Sequence, residues 1–159
     1  MLPLSSVAIK SVGDCSPGQL VVALGFQCSA LVVDVIRREG SDRGVILLKP
    51  GEVRLELDAV KAVISLQFEW EWRVDLWDGF ASGTRNLQRR SGVIGLAGQR
   101  TLIVLDGGRC CDLSTYKVSK LPDELGAQAG TFGKWEICTK PAHPMETRQT
   151  LYAFSAPGT

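Results

Sequence analysis

Glu69, Glu71 and Asp75 stand at alternate positions of one short stretch, with Arg73 among them and Trp77 two residues beyond. In extended chain, residues i and i+2 share a face with their bases about 6.5 to 7 Å apart. Carboxyl pairs at such separations cleave glycosidic bonds, one as acid and the other as base or nucleophile. Trp77 shares that face, where an indole can stack on a sugar ring. A small carboxylate-based hydrolase is therefore one reading, with Glu69, Glu71 and Asp75 as its catalytic candidates. The competing reading is the wet side of an antiparallel sheet, where alternating charges form cross-strand ion pairs worth about 0.2–1 kcal/mol each.

Other chemistry is thinner. His143 is the single histidine, set between Pro141 and Pro144 in a loop, so His-pair metal sites and HExxH hydrolysis are excluded. No GxSxG accompanies it. The five cysteines, Cys15, Cys28, Cys110, Cys111 and Cys138, include no CxxC pair. Cys110 and Cys111 are adjacent, so on a strand they point to opposite faces and cannot share an ion. They read as buried free thiols, and neither a metal nor a cofactor is implied. Arg85, Arg89 and Arg90 make a basic stretch read as a loop, a candidate binding surface for phosphate or carboxylate on a partner together with Arg73 and Trp77. No aromatics interleave with those arginines, and 18 basic against 17 acidic residues leave +1, which argues against nucleic acid. The glycines at 79 and 83 lack the Lys-Ser or Lys-Thr pair of a phosphate-binding loop.

The elements that must hold these residues follow from turns and periodicity. Seventeen glycines in 159 residues exceed average usage, and they punctuate apolar runs at Pro17-Gly18, Gly40-Ser41, Pro50-Gly51, Asp78-Gly79 and Gly107-Gly108. Between such turns the pattern predicts strands over 6–11, 19–25, 28–37, 43–49, 53–58, 60–77, 92–97, 100–106, 109–118, 132–139 and 148–155. The strongest signal is 60–77, where even positions are apolar and, from 65 on, odd positions are polar. This places the even face of 60–76 at the centre of the core. A strand that long would span roughly 56 Å, so a bend or bulge is expected within it. A helix capped by Asp58 is the alternative for its front half. Val53, Leu55 and Leu57 alternate in the opposite phase, so the chain must turn, bulge or change sheet near Asp58-Ala59. One short helical turn is predicted from Pro122 to Leu125.

Leu20 to Ile36 is apolar enough to test as a membrane span, but a Gly-Phe-Gln break, Asp34 and many β-branched residues favour two buried strands. The amino-terminal residues lack the charge and cleavage pattern of a secretory signal. With free thiols, this points to the cytoplasm and to no membrane. A weak internal likeness links Gly18–Asp34 with Gly92–Asp106 at an offset of 72 to 74 residues.

The sequence thus predicts one all-β domain over 1–159, a two-sheet sandwich or closed barrel of about ten strands that admits two similar halves. The leading functional expectation is a non-catalytic protein-interaction or assembly module, binding a protein partner or itself. The hydrolase and a β-barrel carrier of a small ligand are the alternatives.

Overall fold

Turn residues divide the chain into short extended segments, and in the computed structural model, which describes residues 7–75, 80–82, 90–122 and 130–157, fifteen of them are strands. They are β1 (Val7–Ser11), β2 (Leu20–Ala23), β3 (Cys28–Arg37), β4 (Gly40–Lys49), β5 (Glu52–Glu56), β6 (Ala62–Leu66), β7 (Trp70–Val74), β8 (Phe80–Ser82), β9 (Ile94–Ala97), β10 (Arg100–Leu105), β11 (Arg109–Asp112), β12 (Lys117–Lys120), β13 (Gly130–Phe132), β14 (Lys134–Thr139) and β15 (Thr150–Ser155). The described residues contain no α-helix, only two three-residue 3-10 turns at Val12–Asp14 and Asp106–Gly108. Pro122 is not helical, and the rest of the turn expected there lies outside the described residues.

The protein is all-β, with twelve strands in one sheet and three, in the order β15-β14-β7, in another. Within the large sheet one order of antiparallel pairing occurs twice: β1-β6-β2-β3-β4-β5, then β8-β13-β9-β10-β11-β12. The two runs join where β3 and β12 lie parallel, Asp34 beside Lys117 and Val35 beside Val118. β5 approaches β10 without forming a ladder, and no sheet closes into a barrel among the described residues. Corresponding backbone bonds fix the start of β2 and β9. Gly18 N donates to Val32 O (2.8 Å) and Val32 N to Gln19 O (3.0 Å), while Gly92 N donates to Val104 O (2.8 Å) and Val104 N to Val93 O (2.8 Å).

The main core draws on both sheets: Leu31, Val33, Ile46, Ile103 and Leu105 from the large one, with Trp135, Tyr152 and Phe154 from the small one. The other side of the large sheet is also dry, through Ala30, Val32, Leu47 and Val63 in one place and Leu102, Val104 and Cys110 in another. Burial on both faces is why Ala30–Val33 and Leu102–Leu105 are unbroken apolar runs. The membrane-like stretch is accordingly β2 and β3, and no helix is long and apolar enough to cross a membrane. Cys111 belongs to the main core and Cys110 to the opposite side, as their adjacency on β11 requires.

Where the expected long strand at 60–77 falls on described residues, up to Asp75, it is two strands in two sheets. β6 pairs with β1 and β2 in the large sheet, whereas β7 pairs with β14 in the small one. The break at 67–69 keeps the phase: Leu66, Trp70 and Trp72 all pack against the main core, while Val63 belongs to the opposite side of the large sheet. On β6 the buried residues are Val63 and Ser65, with Ile64 and Leu66 only half-buried; on β7 the even residues Trp70 and Trp72 pack against the core. The even residues Leu66, Trp70 and Trp72 therefore flank the main core, only half-buried, and do not form its centre. A single strand of that length cannot follow the curvature of a sheet and change sheets without a bend. The helical alternative at 58–64 does not form. Two further predicted strands also divide, 109–118 into β11 and β12 around a turn at 113–116, and 132–139 into β13 and β14 at Gly133. β8 was not expected from the sequence.

Candidate functional site

β7 presents two surfaces that bear on function, its outward side-chain face and its backbone edge. Trp70 and Trp72 anchor the strand from within: Trp72 lies 5.0 Å from Trp135, Trp70 lies 5.6 Å from Trp72, and Tyr116 lies 6.4 Å from Trp70, ring centre to ring centre. Edge-to-face and tilted aromatic pairs at these separations are attractive beyond their buried area. Burial holds the Tyr116 hydroxyl in its neutral form, raising its pKa. With the indoles inward, alternation turns Glu71 and Arg73 outward.

On that outward face each charge has an opposite partner. Glu71 Oε1 accepts from Arg148 Nε at 2.9 Å, Lys140 Nζ lies 3.4 Å from Glu69 Oε2, and Arg73 Nη1 lies 3.5 Å from Glu136 Oε1. Glu136 is opposite Arg73 across the ladder, and its other oxygen accepts from Thr150 Oγ1 at 3.2 Å. Asp75 follows the strand, its N–H donating to Lys134 O at 3.0 Å. A hollow of about 540 Å³ opens beside it, lined by Arg73, Asp75, Lys134 and Glu136 over Trp135 and Phe154. A general acid works best in apolar surroundings; Glu69 and Glu71 instead each face a cation, Glu69 with 78% of its side chain in water.

The structure thus brings Glu69, Glu71, Arg73 and Asp75 to one sheet, as alternation implied. Arg90 is elsewhere, its guanidinium donating to Pro157 O. Trp77, Arg85 and Arg89 lie outside the described residues. His143 is exposed and lines a 360 Å³ hollow with Glu71 and Arg148. The loop carrying it is tied by Ala142 N donating to Glu146 Oε2 (2.8 Å) and Gln149 N donating to Thr139 Oγ1 (2.9 Å). Sequence reasoning did not anticipate Lys140, Glu136 or Arg148 as partners, because ion pairs across 63 to 77 residues depend on which strands become neighbours. Among the described residues no three of His, Cys, Asp and Glu gather as metal ligands would.

The backbone edge is the second surface. Lys140 N donates to Glu69 O (2.9 Å) and Asp75 N to Lys134 O, so the odd residues of β7 direct their peptide groups at β14. In an antiparallel ladder the even residues then direct theirs the other way. On that side of Trp70, Trp72 and Val74 no strand is paired among the described residues. Near its start a 320 Å³ pocket lies between Gly18, Phe68, Trp70 and Tyr116, with Glu69 and Lys140 at its rim. The chain matches no protein-family model, no curated protein and no solved structure.

Proposed function

We propose that the protein is a non-catalytic interaction or assembly module of the cytoplasm, built as a two-sheet sandwich with two similar halves, which takes up another polypeptide strand along β7. The observation that carries this reading is the open edge at Trp70, Trp72 and Val74, an array of peptide groups with no strand beside it among the described residues. Unpaired edge groups are a template for strand addition, in which the backbone supplies affinity and the alternate side chains supply choice. Within the small sheet β14 is paired on both sides, by β7 and β15, so the open edges of that sheet among the described residues are those of β7 and β15. Two similar halves account for the pairing order found twice and for the matched hydrogen bonds at Gly18 and Gly92. The cytoplasm accords with five cysteines that are all free thiols.

Catalysis by Glu69 or Glu71 has less support, since alternating ion pairs are what a solvated sheet face provides without any reaction. A carrier needs an enclosed void, whereas Leu31, Ile46, Ile103 and Leu105 fill the space between the sheets. Residue-resolved hydrogen exchange tests the reading. In the dilute monomer the amides of Trp70, Trp72 and Val74 exchange rapidly, and they become protected in the assembly recovered from the protein's own cells and weighed by native mass spectrometry. Protection of those amides in the isolated monomer overturns the proposal, because the chain would then cover its own edge.

A further inference from the structure

Resting on the strand-edge reading above, we infer that the strand taken up by β7 is the β7 of a second copy, paired antiparallel about Trp72. The segment Trp70-Glu71-Trp72-Arg73-Val74 is complementary to its own reverse. Centred on Trp72, antiparallel pairing sets Glu71 opposite Arg73 of the second copy on the wet face, and Trp70 opposite Val74 of the second copy on the dry face. The chain already uses two of these combinations internally: where β7 meets β14, Arg73 faces Glu136 and Val74 faces Trp135.

Charge selects the register. The residues able to bond outward are the even ones, so the permitted registers differ by steps of two in the sum of facing numbers. One step one way sets Glu71 against Glu71, and one step the other way sets Arg73 against Arg73; like charges directly opposite repel. The register centred on Trp72 instead extends an existing alternation. Glu136 lies beside Arg73 and Arg148 beside Glu71, so the row across the joined sheets runs Glu136, Arg73, then Glu71 and Arg148 of the second copy, negative and positive in turn. Three facing residue pairs would supply the peptide hydrogen bonds. Val74, 36% exposed, and the half-buried Trp70 and Trp72 would lose solvent together. The contact is isologous, so it closes after two copies and does not propagate.

Sedimentation equilibrium of the full chain at low ionic strength tests this, using wild type, Arg73→Glu, Glu71→Arg and an equimolar mixture of the two variants, with circular dichroism to verify that each is folded. Wild type is expected to dimerise in a concentration- and salt-dependent way. Each variant alone places like charges at both symmetry-related sites and is expected to weaken the dimer about tenfold or more. The mixture restores opposite charges at both sites and is expected to form a heterodimer at least as tight as the wild-type dimer, although each variant has lost one ion pair within its own chain. Variants that dimerise like wild type, or a mixture no tighter than its components, overturn the register. A wild-type chain monomeric to about 1 mM overturns the second copy as occupant. If that monomer protects Trp70, Trp72 and Val74 only when bound to a different protein, the strand-edge reading survives alone.

Discussion

Gly92 has φ +91°, and a Cβ placed on it would stand 2.5 Å from the Phe154 ring; Gly18, with φ +85°, has the Tyr116 ring in the same relation. Both glycines let an aromatic lie directly on the backbone in a conformation that L side chains resist. Gly92 O also accepts from the buried Trp135 Nε1 at 2.6 Å. Gly92→Ala is therefore expected to lower the unfolding free energy by about 2–4 kcal/mol, from backbone strain plus overpacking. Gly25→Ala, with φ +87° but nothing within 4 Å of a Cβ, should lose only about 1 kcal/mol. Urea midpoints at unchanged m distinguish the two. Asp112 gives a pH signature. Burial opposes its charge, but hydrogen bonds from Ser114 Oγ (2.6 Å) and Ser114 N (2.9 Å) and the Arg100 guanidinium at 3.0 Å outweigh it and hold the carboxyl below its ordinary range. A depressed folded pKa adds stability that is complete above the unfolded value of roughly 3.9 and is lost as pH falls through the folded one. Asp112→Asn should accordingly be less stable than wild type at neutral pH and lose less on acidification below about 4, read from urea midpoints at each pH.

β6 and β7 show how much an element's parity matters. Their sequence reads as one alternating strand because Ile64, Leu66, Trp70 and Trp72 share a parity, and the bend at 67–69 hands the chain from one sheet to another while Leu66, Trp70 and Trp72 stay against the main core and Ser65 is fully buried. Ser65 Oγ accepts from Gln19 Nε2, so its burial leaves no hydroxyl unbonded. Deleting Gln67 would shorten that connection by one residue and drive β7 toward the opposite face, exchanging the indoles for Glu71 and Arg73. This deletion is expected to abolish cooperative thermal unfolding, whereas Gln67→Ala, at an exposed site, should change stability by less than about 0.5 kcal/mol. If both changes prove equally mild, the parity argument fails. That the residues of β7 are extended was legible in their alternation, as was the need for a bend. Its partner strand was not, because pairing with β14 joins residues some 65 positions apart and no local pattern encodes that choice.

Across the whole molecule, burial keeps protons on the cysteine thiols and on the Tyr152 hydroxyl. The thiols of Cys15, Cys28, Cys110, Cys111 and Cys138 are all pushed above their ordinary value of 9.0, and the Tyr152 hydroxyl, which donates to Lys49 O at 2.9 Å, is pushed up to about 12. A raised folded pKa contributes stability that is complete below the unfolded value and lost as pH rises toward the folded one. Stability should therefore decline above about pH 9 as the unfolded chain ionises its thiols, and substituting Cys111 by Ala should reduce that slope while creating a small cavity in the core. An alkaline limb that is flat to pH 10.5 or so would contradict the burial of these thiols. The composition, the turn spacing and the period of two by themselves determined an all-β chain, the buried pair β2 and β3, and the division of Cys110 from Cys111, because each depends on neighbours a few residues away. Only the tertiary structure decided that β6 and β7 serve two sheets, that no sheet closes into a barrel among the described residues, and that Glu71 meets Arg148 while the far edge of β7 meets no strand among them. Those outcomes turn on which distant segments become neighbours, and that is settled by the summed packing of the core rather than by any residue's own preference.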